Sequence, residues 1–153
     1  MRVPRDENGF TLLEMVCVLA IIALLLATVL PALPRGTSRP MLEAYALKTA
    51  ALLKSDRNAA IRRGVTVATE LRPMARIIRS GASGRLLKLP GDVGFRAILA
   101  EQCGADSGGT TVQFLPSGMS CGGTIYLSRP GLTLEIRITW LTGGIEIVPG
   151  SAV

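Results

Sequence analysis

An apolar run of 21 residues, from Phe10 to Leu30, constrains this chain more than any other feature, because its single charged side chain is Glu14. At a rise of about 1.5 Å per residue, a helix of this length spans roughly 30 Å, the thickness of the hydrocarbon core of a bilayer. The apolar core of a secretory signal is shorter, about 7 to 15 residues, and ends at a small-residue cleavage site, whereas this run ends at Pro31. The run therefore predicts a transmembrane helix over residues 10–30.

The residues around Glu14 resemble a known processing signal. A short polar leader, residues 1–9, ends in Gly9 and is followed by an apolar helix that begins at Phe10, and the GFTLLEM stretch is similar to the class III signal of type IV pilins and type II secretion pseudopilins. The resemblance implies that a prepilin peptidase cuts between Gly9 and Phe10 on the cytoplasmic side. It also implies that the new amino terminus, at Phe10, is methylated.

A carboxylate inside a bilayer costs several kcal/mol unless it is paired or neutralised, so Glu14 is a candidate functional residue. The implied cut leaves a positive amine on Phe10 that Glu14 can reach on its own or a neighbouring subunit. Because such a pair gains most in low dielectric, it favours lateral packing of helices and predicts an assembly role for Glu14. The alternative is that Glu14 only compensates the positive end of the helix dipole, worth at most about 1 kcal/mol.

A proline-rich segment follows the apolar run. Pro31, Pro34 and Pro40 each remove a backbone donor and clash with the preceding turn, so residues 31–40 are predicted to form a hinge. Residues 41–64 then have the spacing of an amphipathic helix that ends at Gly64. Its predicted apolar face consists of Leu42, Tyr45, Ala46, Thr49, Leu52, Leu53 and Ala60, and its polar face of Lys48, Asp56, Arg62 and Arg63.

Beyond residue 64 the periodicity changes from helix to strand, with RSGASGR and GADSGG predicted as surface loops. The turn at residues 142–144 leads from LTLEIRITWL into IEIV and predicts a hairpin. Carboxylates on the strands are predicted to face solvent. Residues 41–153 are therefore predicted to form one α+β domain, with the amphipathic helix laid across antiparallel sheet. The first strand of the hairpin is predicted to place Leu132, Leu134, Ile136, Ile138 and Trp140 on one face and Thr133, Glu135, Arg137 and Thr139 on the other.

One segment, GMSCG at residues 118–122, matches the G-x-S-x-G pattern of hydrolases, in which a helix follows the serine and a histidine activates it. The chain contains no His, and the strand-like TIYLS follows the segment, which therefore predicts a hairpin loop. The sequence also lacks the G-x-x-x-x-G-K-[ST] pattern of a phosphate-binding loop. We expect no catalytic, cofactor-binding or metal-binding site, and hence no enzyme.

The three cysteines divide by position. Cys17 lies within the apolar run and is predicted to be a small packing residue. Cys103 and Cys121 flank a glycine-rich stretch and have neither C-x-x-C spacing nor a His beside them to suggest a metal site. If the domain lies outside the inner membrane, a disulfide between them is expected to contribute about 3 kcal/mol to stability. The alternative is two free thiols in loops.

Several segments of the soluble part resemble a narrower family. KLPGDVGF, VQFLPSGMSCGGTIYLS and IRITWLTGGIEI occur in the order of the GspH/FimT pseudopilin domain, and LLKSDRNAAIRRGVTVATEL is similar to the same family. The resemblance implies a type IV pilin-like fold and a minor pseudopilin of the type II secretion system, a structural subunit near the pseudopilus tip that supports protein export across the outer membrane. It implies a single-pass inner-membrane protein with residues 41–153 in the periplasm. The implied partners are the prepilin peptidase, other major and minor pseudopilins, the inner-membrane assembly platform of the secretion system, and membrane lipid.

A second function stays open, that of a FimT-like minor type IV pilin that binds DNA or primes pilus assembly. After Pro31 the chain has fifteen Lys or Arg and eight Asp or Glu, a balance of +7, which favours acidic partners such as phosphate surfaces. Arg62, Arg63, Arg76 and Arg79 are the candidate DNA contacts in this alternative. Against it, the basic residues are dispersed, aromatic side chains for base stacking are few, and the C-terminal GGIEIVPGSAV stretch is apolar with one Glu.

Overall fold

The computed structural model describes residues 11–29, 36–103, 106–107 and 109–150. The chain divides into two units, one up to Arg35 and one from Gly36 to the C-terminus. The predicted leader, the predicted cleavage site at Gly9 and Phe10, and most of the predicted hinge lie outside the described residues, so the expectations for them remain predictions.

The described residues of the first unit form a helix, α1, Leu12–Val29. Its side chains are exposed from Leu12 through residue 27, and most of them are large and apolar. None of the helices in the described part of the chain has the length and hydropathy that a membrane crossing requires. Phe10 and Leu30, the two ends of the predicted transmembrane segment, fall outside the described residues.

The second unit begins with a longer helix, α2, Arg39–Arg63. It starts two residues before the predicted position because Pro40 lies in its first turn, where the missing N–H of proline has no intrahelical partner to lose. Residues 36–38 are not helical, so only this part of the predicted hinge is seen as irregular chain. The helix ends where predicted, at Gly64, whose φ of 65° is left-handed backbone that glycine adopts without strain.

The strands that follow form two four-stranded sheets, antiparallel throughout. The first sheet has the order β3-β2-β1-β7, with β1 Val67–Arg72, β2 Ile77–Arg79, β3 Leu86–Lys88 and β7 Thr111–Phe114. The second sheet has the order β10-β9-β8-β4, with β4 Gly94–Leu99, β8 Gly123–Arg129, β9 Leu132–Ile138 and β10 Ile145–Pro149. A short ribbon pairs β5 Gln102–Cys103 with β6 Asp106–Ser107.

The core lies between α2 and the two sheets, because α2 contacts strands of both. The predicted apolar face of the helix is the face that is buried, with Leu42, Ala46 and Leu53 fully covered. The inward side chains of the strands pack against this face of the helix. Each large apolar side chain that is fully buried stabilises the fold by about 1.5 to 3 kcal/mol relative to an exposed one. These side chains include Leu71, Ile78, Val112, Phe114, Ile125, Leu127 and Ile136. The predicted α+β class, with helix packed on antiparallel sheet, is confirmed.

Three details of the predicted strands were wrong. Trp140 is 62% exposed, because β9 ends at Ile138 and the tryptophan lies in the turn beyond it. Glu135 faces outward as its position predicts but is buried, because it lies between Tyr126 and Val148 on the neighbouring strands and binds Arg137 Nη2 at 2.8 Å. The GMSCG loop reverses the chain, with an antiparallel bridge between Phe114 and Ser120, but β7 and β8 on either side of it do not pair, since they belong to different sheets.

Candidate functional site

The start of α1 places Glu14 in the first turn of the helix. Thr11 directly precedes the helix, and its side-chain Oγ1 accepts a hydrogen bond from the backbone N–H of Glu14 at 3.3 Å. The carbonyl of Thr11 also accepts bonds from the amides of Glu14 and Met15. Thr11 is therefore the N-cap of α1, and it satisfies a backbone donor that would otherwise lack an intrahelical partner.

This arrangement bears on both interpretations of Glu14. A threonine followed three residues later by a glutamate is the sequence signature of a capping box, a signal that the motif contains but that sequence reasoning missed. A carboxylate in the first turn is also favoured by the helix dipole. The Glu14 side chain is exposed, so it remains available to an amine of the same or another subunit. Its assembly role stays a prediction.

Asp56 is fully buried, which corrects its predicted place on the polar face of α2. Its carboxylate accepts hydrogen bonds from the hydroxyl of Thr69 at 2.6 Å and from the hydroxyl of Ser80 at 2.5 Å. The backbone amides of Gly81 and Ala82 donate to it at 3.0 and 3.4 Å. Four donors thus replace water around one carboxylate, which is what a buried charge requires. The RSGASGR segment is mostly exposed, as predicted for a surface loop, but its Ser80 is buried and bonds to Asp56.

The loop after β2 can approach the backbone of β1 closely because residue 81 is glycine. A Cβ at this position would collide with the backbone of Ala68 on β1. The buried carboxylate therefore connects α2 to strand β1 of the first sheet and to the turn after β2.

The next residue along α2, Arg57, makes the corresponding connection to the second sheet. Its Nε donates to the carbonyl of Gly118 at 3.0 Å, and its Nη2 donates to the carbonyl of Thr142 at 2.9 Å. One guanidinium thus holds both the turn before β8 and the turn between β9 and β10. Arginine presents several donors in a fixed planar fork, which suits two carbonyls on separate loops. Sequence reasoning did not identify Arg57.

The structure brings the sulfur atoms of Cys103 and Cys121 together, with Cα atoms 5.7 Å apart, within the usual range for a disulfide. Cys103 lies on β5 and Cys121 lies just before β8, so a bond between them would tie the ribbon to the second sheet. Cys17, in contrast, is exposed on α1.

We predict that non-reducing peptide mapping of the exported protein gives one crosslinked pair of fragments, which contain Cys103 and Cys121. Replacing both cysteines by serine should lower the free energy of unfolding by about 3 kcal/mol, since the bond closes a loop with a sequence separation of 18. Cys17→Ser is the matched control and should leave the stability of the soluble domain unchanged. Quantitative labelling of both thiols without reductant would rule the bond out.

The four candidate DNA contacts do not share one element. Arg62 and Arg63 end α2, Arg76 lies in the turn between β1 and β2, and Arg79 is at the end of β2. Two of them bond within the protein, since Arg63 Nη1 donates to the carbonyl of Ala82 and Arg76 Nε to that of Val93. Glu70 is the cross-strand partner of Arg79 and reduces the positive charge there. The basic surface is therefore less concentrated than the net charge indicates.

The GMSCG segment lacks the structure of a hydrolase nucleophile. Ser120 is buried, and its Oγ accepts a hydrogen bond from the backbone N–H of Gly122 at 3.1 Å. A strand, β8, follows the serine where a nucleophile elbow has a helix. Among the residues that the structure describes, no group of three or more Cys, Asp or Glu is placed to hold a metal ion.

Sequence comparisons find similarity at the N-terminal segment and along most of the chain. Residues 4–30 match the prokaryotic N-terminal methylation motif. The chain is 29% identical over 147 residues to type II secretion system protein H of Xanthomonas campestris pv. campestris. The aligned region covers 96% of this chain and 86% of that protein.

Solved structures show the same fold. The minor pseudopilin EpsH from the type 2 secretion system of Vibrio cholerae matches with a TM-score of 0.55 and 13% identity over 70% of this chain and 95% of its own. The type IV minor pilin FimU of Pseudomonas aeruginosa matches with a TM-score of 0.55 and 17% identity over 74% of this chain and 92% of its own.

These similar proteins are a secretion-system protein, a minor pseudopilin and a minor pilin, in agreement with the expectation that the chain is a structural protein and not an enzyme. The methylation motif implies processing by a peptidase. The chain thus has a pilin-like fold, carries the prokaryotic N-terminal methylation motif and is similar in sequence to a type II secretion system protein H.

Proposed function

We propose that this protein is a minor pseudopilin of a type II secretion system, a structural subunit near the pseudopilus tip that supports export across the outer membrane. The observation that carries the proposal is the similarity to a type II secretion system protein H along 96% of the chain, which includes both the methylation motif and the soluble domain. The shared fold with EpsH supports it.

In this proposal residues 10–30 anchor the protein in the inner membrane and the domain from residue 41 lies in the periplasm. Prepilin peptidase cuts between Gly9 and Phe10, and Phe10 is methylated. Glu14 then compensates the amine of Phe10 when subunits pack side by side. The inner-membrane assembly platform and the other pseudopilins are the remaining partners.

The alternative function is that of a minor type IV pilin. The specific observation in its favour is FimU, which matches with the same TM-score as EpsH and slightly higher identity. Because both likenesses are below 25% identity, they support the fold equally and do not separate the two functions. The partial engagement of Arg63 and Arg76 within the protein weighs against capture of DNA on this surface.

The processing step gives the first test. Gly9→Val should leave the leader attached, because a branched side chain replaces the small residue next to the predicted cut at Phe10. Intact-mass measurement in cells with the peptidase should then show the full-length chain, whereas the wild type is shortened by residues 1–9. We also expect the variant not to restore secretion in a strain from which the gene has been deleted.

Gly9→Ala is the matched control, since it keeps a small residue at the cut, and it should be processed and should restore secretion. An unshortened wild-type chain would contradict the processing proposal. Normal secretion in the deletion strain, combined with a loss of pili or DNA uptake, would support the alternative function instead.

A further inference from the structure

The neck of the soluble domain, which we define as residues Gly36–Ser38, is held by side chains far away in the sequence. Thr37 is only 8% exposed, although it lies outside any helix or strand. Its backbone N–H and its hydroxyl both donate to the carboxylate of Asp92, the hydroxyl at 2.9 Å. Arg129 Nη1 donates to its carbonyl at 2.9 Å. Every polar group of Thr37 is therefore bonded.

One turn and one strand end, both at the same end of the second sheet, supply these partners. Asp92 lies just before β4, and Arg129 is the last residue of β8. Because β4 and β8 are antiparallel and Gly94 pairs with Ser128, the start of one strand lies beside the end of the other. The sequence separations from Thr37 are 55 and 92 residues, so these contacts exist only in the folded domain.

The hydrogen bonds between Thr37 and Asp92 are strong for a carboxylate on an exposed residue. The backbone N–H of Thr37, followed by its hydroxyl, lowers the pKa of Asp92 below its ordinary value of 3.8, and the charge of Arg129 acts in the same direction. A carboxylate whose pKa is lowered on folding stabilises the folded contact at pH values above its ordinary pKa. This stabilisation is lost as the pH falls through the pKa of the carboxylate in the folded protein. Asp92 is therefore charged at neutral pH, and both bonds from Thr37 are charge-assisted.

The bonds to Thr37 lie outside helix α2, which begins two residues later at Arg39. Ser38 occupies the N-cap position and makes no capping bond with its side chain, and Pro40 fixes the backbone of the first turn. Leu42 and Val93 are fully buried in the core close by in sequence to the contact, and they anchor this end of the domain. The bonds from Asp92 and Arg129 to Thr37 additionally fix the neck.

The neck is a substantial part of a short connection. Nine residues separate the end of α1 at Val29 from the start of α2 at Arg39, and the neck makes up three of them. A chain segment that is held at Thr37 has fewer accessible conformations than a free one, so it loses less conformational entropy when a subunit is ordered in an assembly.

We propose that Asp92, Thr37 and Arg129 form a clasp that fixes the direction in which the chain enters the soluble domain, and that this direction is needed for incorporation into a fibre. The second half of the proposal rests on the proposed function. Asp92 and Arg129 are positioning residues in this account, since they act through the backbone of Thr37 and not through contact with a neighbour.

The test uses the full-length chain in membranes or detergent micelles, with Asp92→Ala and Thr37→Val as the two variants. Thr37→Val keeps the shape of the side chain and removes one donor. Hydrogen exchange of a peptide that covers the neck should become roughly tenfold faster in Asp92→Ala and less so in Thr37→Val, while peptides from β8 and β9 keep wild-type protection. Crosslinking to neighbouring subunits at equal membrane abundance should fall severalfold in Asp92→Ala. Glu146→Ala, which removes an exposed carboxylate from β10, is the matched control and should change neither readout.

Each other outcome is decisive. Wild-type exchange at the neck in Asp92→Ala would show that the clasp does not hold it, and loss of protection in β8 and β9 would show that Asp92 serves the fold instead. A freed neck with undiminished crosslinking would refute the assembly half of the proposal. If the wild type itself forms no crosslinks to other subunits, the proposed function fails and the assembly half falls with it, whereas the exchange result at the neck still stands.

Discussion

Asp56→Ala should lower the free energy of unfolding of the soluble domain by about 3 kcal/mol or more, the largest effect that we expect from a single substitution in this domain. The variant leaves two buried hydroxyls, those of Thr69 and Ser80, and the amides of Gly81 and Ala82 without their acceptor. Each buried donor that loses its partner costs about 1 to 3 kcal/mol, reduced where water can enter. For a domain of this size the melting temperature should fall by roughly 10 °C.

The measurement is thermal and urea unfolding of the chain from Gly36 onwards, which forms one unit. Asp56→Asn should give an intermediate loss, because the amide keeps one acceptor but directs its NH₂ group at donors. Glu43→Ala is the matched control on the same helix. Its exposed pair with Arg39 is expected to contribute less than about 1 kcal/mol. Equal stability of Asp56→Ala and Glu43→Ala would show that the bonds around Asp56 do not support the fold.

The sequence predicts the elements of this fold well because their hydrophobic periodicity is strong. The spacing of Leu42, Ala46 and Leu53 identifies the buried face of α2, and Gly64 ends the helix through its left-handed backbone. The predicted start of the helix is two residues late, because Pro40, which the pattern treats as an interruption, lies in the first turn of the helix. Local chemistry determines these features, so local patterns identify them.

Asp56 and Arg57 were missed because their partners are set by tertiary structure. Charged residues are usually exposed, and that rule placed Asp56 with the polar face. The helical spacing contains the opposite signal, since Asp56 follows Leu52 and Leu53 by four and three residues and precedes Ala60 by four, and so lies on the buried stripe. No sequence pattern shows that Ser80 and Thr69 would meet it there.

The separation of the strands into two sheets was not predicted either. The turn after β7 has the glycine and serine content of a hairpin loop, and a local bridge does pair Phe114 with Ser120. The chain then crosses to the second sheet, where Gly123 pairs with Leu99 on β4 and Ile138 on β9. Turn composition indicates that the chain reverses, but it does not indicate which strand the reversed chain will join.

Glu14→Gln should produce a protein that is processed and inserted in the membrane but poorly incorporated into the fibre. Neither insertion nor folding of the soluble domain requires the negative charge, because an unpaired carboxyl in the membrane can be protonated. Incorporation beside a neighbour is different, since the carboxylate would then offset the amine of Phe10 and an amide offers a hydrogen bond but no charge. The cap from Thr11 uses the backbone N–H of Glu14, so the variant keeps this bond and the start of α1.

The Glu14 variants also separate the two roles considered for this residue. If Glu14 only compensates the dipole of α1, its loss costs at most about 1 kcal/mol and every readout should stay close to wild type. If it pairs with the amine of Phe10 in low dielectric, crosslinking should fall about tenfold, which corresponds to about 1.4 kcal/mol. Glu14→Asp keeps the charge on a shorter side chain and should retain part of the crosslinking.

The central claim is that this chain is a processed subunit that assembles through its N-terminal helix. Its most direct test is to crosslink wild type and Glu14→Gln to neighbouring subunits at equal membrane abundance and to measure secretion in the same cells. We predict that the wild type is crosslinked to other pseudopilins and that Glu14→Gln gives about a tenth of these products and reduced secretion. Equal crosslinking and equal secretion of the two proteins would contradict the account and leave Glu14 as a residue that only compensates the dipole of its helix.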